Sequence, residues 1–137
     1  MNESVKSRIK KSIPFLSSSG VELTSRMYEI LFEENPELRS LFESDNSRKL
    51  AGALLAVAQN LERLNILEAA LNKMALSHVK AGVKPEHYEK VWKALHKAMI
   101  EFGVEDEIIE AWKEVYYLLA DALIKKEERL YTCLAQS

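Results

Sequence analysis

The chain has 137 residues, 47% hydrophobic and 29% charged, a globular balance that fits one domain and excludes disordered or collagen-like chains. Four glycines and three prolines are too few to punctuate the many short strands of a sandwich or barrel. Nineteen basic against twenty-one acidic residues leave a net charge of -2, so a phosphate-tracking surface and a nucleic-acid partner are not expected.

The single Cys133 offers neither an internal disulfide nor a cysteine-based metal cage, and a reduced, cytoplasmic setting is the expectation. The N-terminal stretch MNESVKSRIKKSIPFL is charged and has only a very short apolar run, unlike a secretory signal. The longest uncharged run, 50–61, falls short of the roughly 20 residues that cross a bilayer. Membrane insertion is therefore not expected.

Apolar residues recur with a period near 3.6 along the chain, and nothing alternates at period 2. A first helix is expected over 5–16, bent or broken near Pro14, which lacks the N–H a continuous helix uses. Gly20 is expected to separate it from a second helix over 21–32. Asn35-Pro36 ends that helix, because the residue before proline is pushed out of the helical region. A short helical piece over 36–42 leads into the polar corner Glu43-Ser44-Asp45-Asn46-Ser47.

The next helix is read over 47–64, where Leu50, Leu54, Val57 and Leu61 form a stripe on one face. After a break at Asn65, Leu67, Leu71, Met74 and His78 repeat the spacing, and Gly82 is the expected C-cap. Pro85 opens a helix with Tyr88, Val91, Leu95, Ala98, Met99 and Phe102 inward. Gly103 marks the last break. The longest helix starts near Asp106 and passes Trp112, Tyr116, Leu119 and Leu123 to about 130. No repeat or linker interrupts this order, so a single domain is expected over 1–137, with its core over about 5–131 and a short tail over 132–137. Seven or eight unequal helices make an all-α domain rather than a symmetric four-helix bundle.

His78 stands out chemically. It takes the fourth place in an otherwise apolar stripe, where spacing alone allows either a hydrogen-bonded core histidine or a metal ligand. No HExxH, CxxC or Glu-x-x-His accompanies it, so a zinc or di-iron site would lack ligands. A metal that brings its own equatorial ligands needs only one from the protein, and haem is that case. His87 and His96 read as a helix-start residue and a surface-edge residue.

Several motifs, in order along nearly the whole chain, resemble bacterial single-domain haemoglobins and the globin domain of flavohaemoglobins. They are Gly20-Val21, Tyr28 before Leu31-Phe32, Asn35-Pro36-Glu37, Leu41-Phe42, the AVAQN of 56–60, the HVKAGV of 78–83, His87-Tyr88, Ala111-Trp112, Leu119-Ala120-Asp121 and Glu127. The resemblance implies a globin fold around haem b, with His78 as proximal ligand. It implies that Phe42 stacks on the porphyrin and that Tyr28 hydrogen-bonds a bound gas. Leu50 would be the distal leucine, and Tyr88 and Glu127 would flank the proximal imidazole as tuning residues. Leu54, Met74, Val83 and Val91 complete the expected pocket.

The same resemblance implies oxygen, carbon monoxide and nitric oxide as ligands, and nitric oxide dioxygenation as a possible activity in which Tyr28, Tyr88 and Glu127 take part. The sequence has no G-x-G-x-x-G and no βαβ pattern, so an external flavin reductase is the expected electron donor, and the protein is expected as a monomer or homodimer. Oxygen storage without catalysis, and a haem-free helical sensor module, are the alternative functions. Four departures from the family pattern stand out, one of them a shortened region around Gly103. The stretch between Phe42 and Leu50 is short, with Asn46 where a distal Gln is usual. Ser77 replaces a common Lys, and Trp92 is bulkier than the small residue expected beside Val91.

Overall fold

In the computed structural model, six α-helices and two 3-10 segments carry the described residues, 1–136 for the backbone and 1–135 for side chains; no strand occurs among them. The helix α1 (Glu3–Lys11) begins where Asn2 Oδ1 accepts the Val5 N–H at 2.9 Å, with Glu3 in its first turn and Arg8, Lys10 and Lys11 in its last. Ser12 closes it: its N–H and hydroxyl both donate to Ile9 O.

The helix α2 (Ile13–Glu34) then runs without interruption past Gly20. Two expectations fail here. The break falls at Ser12, and Pro14 opens α2, because a proline in the first turn loses no hydrogen bond. Gly20 does not separate helices; it is buried inside α2, where a Cβ would lie 3.5 Å from Ala51 Cβ. A lone glycine costs a helix only about 1 kcal/mol, and this one sits where the next long helix crosses. Asn35-Pro36 ends α2 as expected, and a 3-10 segment, Pro36–Leu41, follows.

The helix α3 (Ser47–Gln59) is held at its start by Thr24, whose hydroxyl donates to Ser47 O at 2.7 Å, and by Asp45 Oδ1, which accepts the Ser47 N–H at 2.9 Å. It stops at Gln59 rather than running to 64. Asn60 Nδ2 donates back to Ala56 O at 2.7 Å, and a 3-10 segment, Leu61–Leu67, continues with Arg63 at φ -142° and ψ 58°. The helix α4 (Glu68–Ala81) ends at Gly82, φ 88°, where Val83 N–H reaches back to His78 O at 2.9 Å. The helix α5 (Pro85–Glu101) is followed by Gly103, φ 77°, and α6 (Asp106–Gln136) is the longest. The expected tail is the last turn of α6 as far as Gln136, and Ser137 lies outside the described residues.

Packing explains where a site can form. The helix α2 lies across α3 and α5, and α1 lies against α6. Among the described residues α4 packs chiefly on α6 and the 3-10 segment before it, not on α3. The core is accordingly divided. A large cluster holds Ile9, Leu23, Met27, Leu31, Leu54, Trp92, Leu95 and Trp112, and a small one holds Ala75, Tyr88, Ala120 and Leu123. A domain this size ordinarily has one continuous core. Tyr116 is half-buried against both clusters.

Candidate functional site

Three polar side chains from three helices converge in the small cluster. His78 (α4) Nδ1 lies 2.9 Å from Glu127 (α6) Oε2 and 2.9 Å from Tyr88 (α5) Oη. Tyr88 Oη in turn donates to the same Glu127 oxygen at 2.7 Å. Glu127 is 3% exposed; a carboxylate is almost never so buried unless its hydrogen bonds are met. Tyr88 spends its proton on the carboxylate, and burial with that carboxylate raises its pKa far above the ordinary tyrosine value. Only a protonated Nδ1 satisfies both oxygens facing it, so the imidazole is held as the Nδ1–H tautomer. Its Nε2, across the ring, has no hydrogen-bond partner among the described residues. The His78 side chain is 30% exposed.

The sequence places these residues at 78, 88 and 127, and packing brings them together. The Gly82 turn and Pro85 redirect the chain into α5, and Tyr88 in its first turn reaches His78 across that corner. Lys126, next to Glu127, ties α6 to α4 by donating to Glu68 Oε1 at 2.5 Å and Asn72 Oδ1 at 2.7 Å. Tyr131 Oη donates to Val83 O at 2.7 Å, and Lys84 Nζ sits 4.2 Å above the Tyr131 ring. The turn after His78 is therefore pinned to α6 through Tyr131.

On the other side of the divided core, Tyr28, Phe32 and Phe42 form a ring cluster. Tyr28 and Phe42 meet edge-on at 5.3 Å, Phe32 and Phe42 at 5.4 Å, and Tyr28 stacks on Phe32 at 5.9 Å. These rings line an open cavity of about 680 Å³ with Asp45 and Asn46 at its wall. Burial first, and the Asp45 charge second, push the Tyr28 hydroxyl up to about 12. It remains a neutral hydrogen-bond donor across the physiological range. Leu50, Phe42 and Val91 are half-buried against the large cluster, and Leu54 is buried in it. Met74 and Val83 are half-buried against the small cluster with Leu71 and Ile124.

The expected site residues thus fall into two sets. Tyr28, Phe42, Leu50, Leu54 and Val91 belong to one cluster; Met74, Val83, Tyr88 and the His78–Glu127 pair belong to the other. An imidazole nitrogen with no hydrogen-bond partner among the described residues, on a helix where Leu71 and Met74 stay half-buried, suits a planar metal complex that supplies its own equatorial ligands. Among the described residues no group of three His, Cys, Asp or Glu could hold a metal ion by itself.

The other two histidines do different work. His87 Nδ1 accepts the Lys84 N–H at 2.9 Å and caps α5, and His96 stacks on Trp92 at 5.8 Å. Trp92 is buried among His96, Tyr116 and Tyr117. Sequence reasoning did not single out Tyr116, whose hydroxyl donates to Tyr88 O at 2.7 Å, nor Asp45, whose carboxylate accepts the first N–H of α3 at 2.9 Å. The Asp-x-Ser of 45–47 carried a capping signal; nothing local marked the Tyr116 bond. No helix among the described residues is long and apolar enough to cross a membrane.

Comparison with known proteins agrees with this architecture. The sequence profile described as Globin matches residues 25–123. An "Uncharacterized globin-like protein" of Aquifex aeolicus is 41% identical over 128 residues, covering 90% of this chain and 92% of that protein. A Bacillus cereus protein described as a flavohemoprotein is 38% identical over 130 residues, covering 90% of this chain but 32% of its own length. The chain thus spans about a third of the flavohemoproteins it matches. An engineered carbene transferase made from a candidate nitric oxide dioxygenase of Rhodothermus marinus superposes with a TM-score of 0.94 at 40% identity, over 98% of this chain and 99% of that one. A bacterial globin from Campylobacter jejuni gives 0.89 at 31% identity, over 96% and 99%. The chain belongs to the globin family.

Proposed function

We propose that the chain is a haem b globin that reversibly binds oxygen, carbon monoxide and nitric oxide in the cytoplasm. It supports dioxygenation of nitric oxide to nitrate, with electrons from a separate flavin reductase. The observation that carries this reading is the imidazole of His78, with Nδ1 bonded to Glu127 and Tyr88 and Nε2 left without a partner among the described residues. Flavohemoproteins and a candidate nitric oxide dioxygenase among the relatives support the choice of reaction.

Haem, when bound, supplies an iron that takes up a diatomic gas and changes oxidation state. His78 would hold it through Nε2. Glu127 and Tyr88 keep the Nδ1 proton in place and make the ring a stronger electron donor. Met74 and Val83 on one side, and Phe42, Leu50, Leu54 and Val91 on the other, exclude water with apolar surface. Tyr28 would offer its hydroxyl proton to an oxygen atom that carries partial negative charge.

Titration of the protein with haemin, followed by absorption, tests the reading. One haem should bind with an intense Soret band, and His78→Ala should lose stable binding unless imidazole is added. Reduced, oxygen-saturated protein mixed rapidly with nitric oxide should then yield nitrate in a single turnover, with steady turnover only when a flavin reductase and reduced nicotinamide are present. Reversible oxygen release without nitrate would leave oxygen storage. An unchanged spectrum on adding haemin would leave a haem-free sensor module.

A further inference from the structure

The open cavity beside Tyr28 has a sign as well as a shape. Four carboxylates line it, Glu29 and Glu33 from α2 and Glu43 and Asp45 from the corner before α3, against the single guanidinium of Arg39. Arg39 lies 5.3 Å over the Phe32 ring. At the rim, Arg26 sits 3.0 Å from Glu29 and 3.9 Å from Glu33, but its Nε faces Glu101 at 2.7 Å, so one cation serves three carboxylates. Arg48 acts on Asp45 through its charge alone. Negative charge therefore prevails around the cavity.

Asp45 is the carboxylate placed to act inward. The Ser47 N–H donates to its Oδ1 at 2.9 Å, which fixes the side chain at the start of α3. Hydrogen bonds from Ser47, the hydroxyl before the N–H, hold the Asp45 carboxyl below the ordinary carboxylate range, so it stays charged across the physiological range. Among the four carboxylates it is the one whose charge acts on the Tyr28 hydroxyl.

We infer that Asp45 is a specificity-determining residue whose charge makes the cavity admit neutral gases and turn back anions. The inference rests on the haem reading above. Like charges a few ångströms apart repel, and water screens them only in part at a protein surface. The three rings on the cavity floor exclude water on one side, which concentrates the field toward the opening. Asp45 is exposed on the other side, so added salt weakens the barrier. Oxygen, carbon monoxide and nitric oxide carry no charge and pass. Nitrate, the product under that reading, is an anion, and the same field opposes its return. Tyr28 distinguishes ligands already inside by a hydrogen bond, whereas Asp45 sorts them by charge before they arrive.

The test compares wild type, Asp45→Asn and Asp45→Glu, each loaded with ferric haem and mixed rapidly with thiocyanate or with nitric oxide. Thiocyanate is an anion that water does not protonate, and nitric oxide is neutral. Asp45→Asn keeps an oxygen for the Ser47 N–H and loses the charge. It should raise the thiocyanate association rate by about threefold to tenfold and leave the nitric oxide rate as it is in wild type. Asp45→Glu keeps the charge and should stay well below the Asp45→Asn rate with thiocyanate. Added sodium chloride should speed thiocyanate binding in wild type, and much less in Asp45→Asn. An unchanged thiocyanate rate in Asp45→Asn would overturn the inference, as would an Asp45→Glu rate equal to it. Equal acceleration of thiocyanate and nitric oxide would also overturn it, since that marks a steric gate. Each of these rate results leaves the haem reading standing, whereas a protein that takes up no haemin would overturn that reading and this inference with it.

Discussion

Under the proposed function, gas discrimination falls to Tyr28, a phenol held neutral in a cavity that Phe32 and Phe42 line together with Glu29, Arg39 and Asp45. Tyr28 has burial as its main perturbation and Asp45 as its second, and both favour the protonated form. A hydrogen bond from it to an oxygen bearing partial charge is worth about 1.5–3 kcal/mol. Tyr28→Phe should therefore speed oxygen dissociation roughly 10- to 100-fold, with carbon monoxide affected less, as stopped-flow exchange would show. The alkaline behaviour has a fixed sign. In the unfolded chain Tyr28 ionises near 10, and in the folded protein near 12, so the folded state keeps a proton the unfolded state loses. The stability this contributes is intact below about pH 10 and declines as pH rises toward 12. Tyr28→Phe should flatten that part of an alkaline unfolding series monitored by circular dichroism.

Glu127 belongs to the same scale and was the hardest residue to place from sequence. It sits in the run Lys125-Lys126-Glu127-Glu128-Arg129, which reads as a solvated helix end, yet it is buried and accepts from both Tyr88 and His78. Helical period alone left this open, because a single polar residue on an inward face has no local mark of its partner. The resemblance of the chain to bacterial haemoglobins supplied the pairing. Glu127→Gln keeps an oxygen facing Nδ1 but removes the negative charge. It should raise the iron reduction potential and weaken the iron–histidine stretch, by potentiometry and resonance Raman spectroscopy, with haem still bound.

At the scale of elements, stops set by local chemistry were legible and stops set by distant contact were not. Asn35-Pro36 and Gly82 end their helices where steric rules place them. Gly20 reads locally as a separator but serves a crossing with Ala51, thirty-one positions away. The end of α3 at Gln59 was missed because Leu61 keeps the apolar spacing while the backbone tightens into a 3-10 turn around Asn60. The Gly20 geometry makes a directional prediction. A Cβ at 3.5 Å from Ala51 Cβ is an ordinary van der Waals contact. Gly20→Ala should therefore keep the crossing and gain helix stability of about 0.5–1 kcal/mol, raising the melting temperature by roughly 2–4 °C. Gly20→Leu should lower it, since a branched chain forces α3 away from α2. Differential scanning calorimetry of the two variants would measure both.

At the scale of the whole molecule, the division of the core makes α4 the helix most dependent on what binds beside it. The crossings of α2 with α3 and α5 bury the large cluster completely, with Leu23, Met27, Leu31 and Leu95 at most 1% exposed. The inward stripe of α4 is different: only Ala75 and Val79 are buried, while Leu71, Met74 and His78 stay half-buried. Its ties to the rest of the protein are the small cluster, the His78 triad and the Lys126 bridge. A helix with so few buried apolar side chains should open locally at a lower free energy than the helices of the large cluster. A ligand that covers Leu71 and Met74 and takes the free nitrogen of His78 would stabilise the folded state by about 2.7 kcal/mol at one hundred times its dissociation constant. Hydrogen exchange read by mass spectrometry should therefore show the largest haemin-dependent gain in protection over 68–81, a smaller gain at the start of α3, and little change in α1 or the first half of α2. His78→Ala should abolish the gain over 68–81. Uniform protection along the chain would mean that α4 is as firmly anchored as the rest, and that the divided core is not what haem completes.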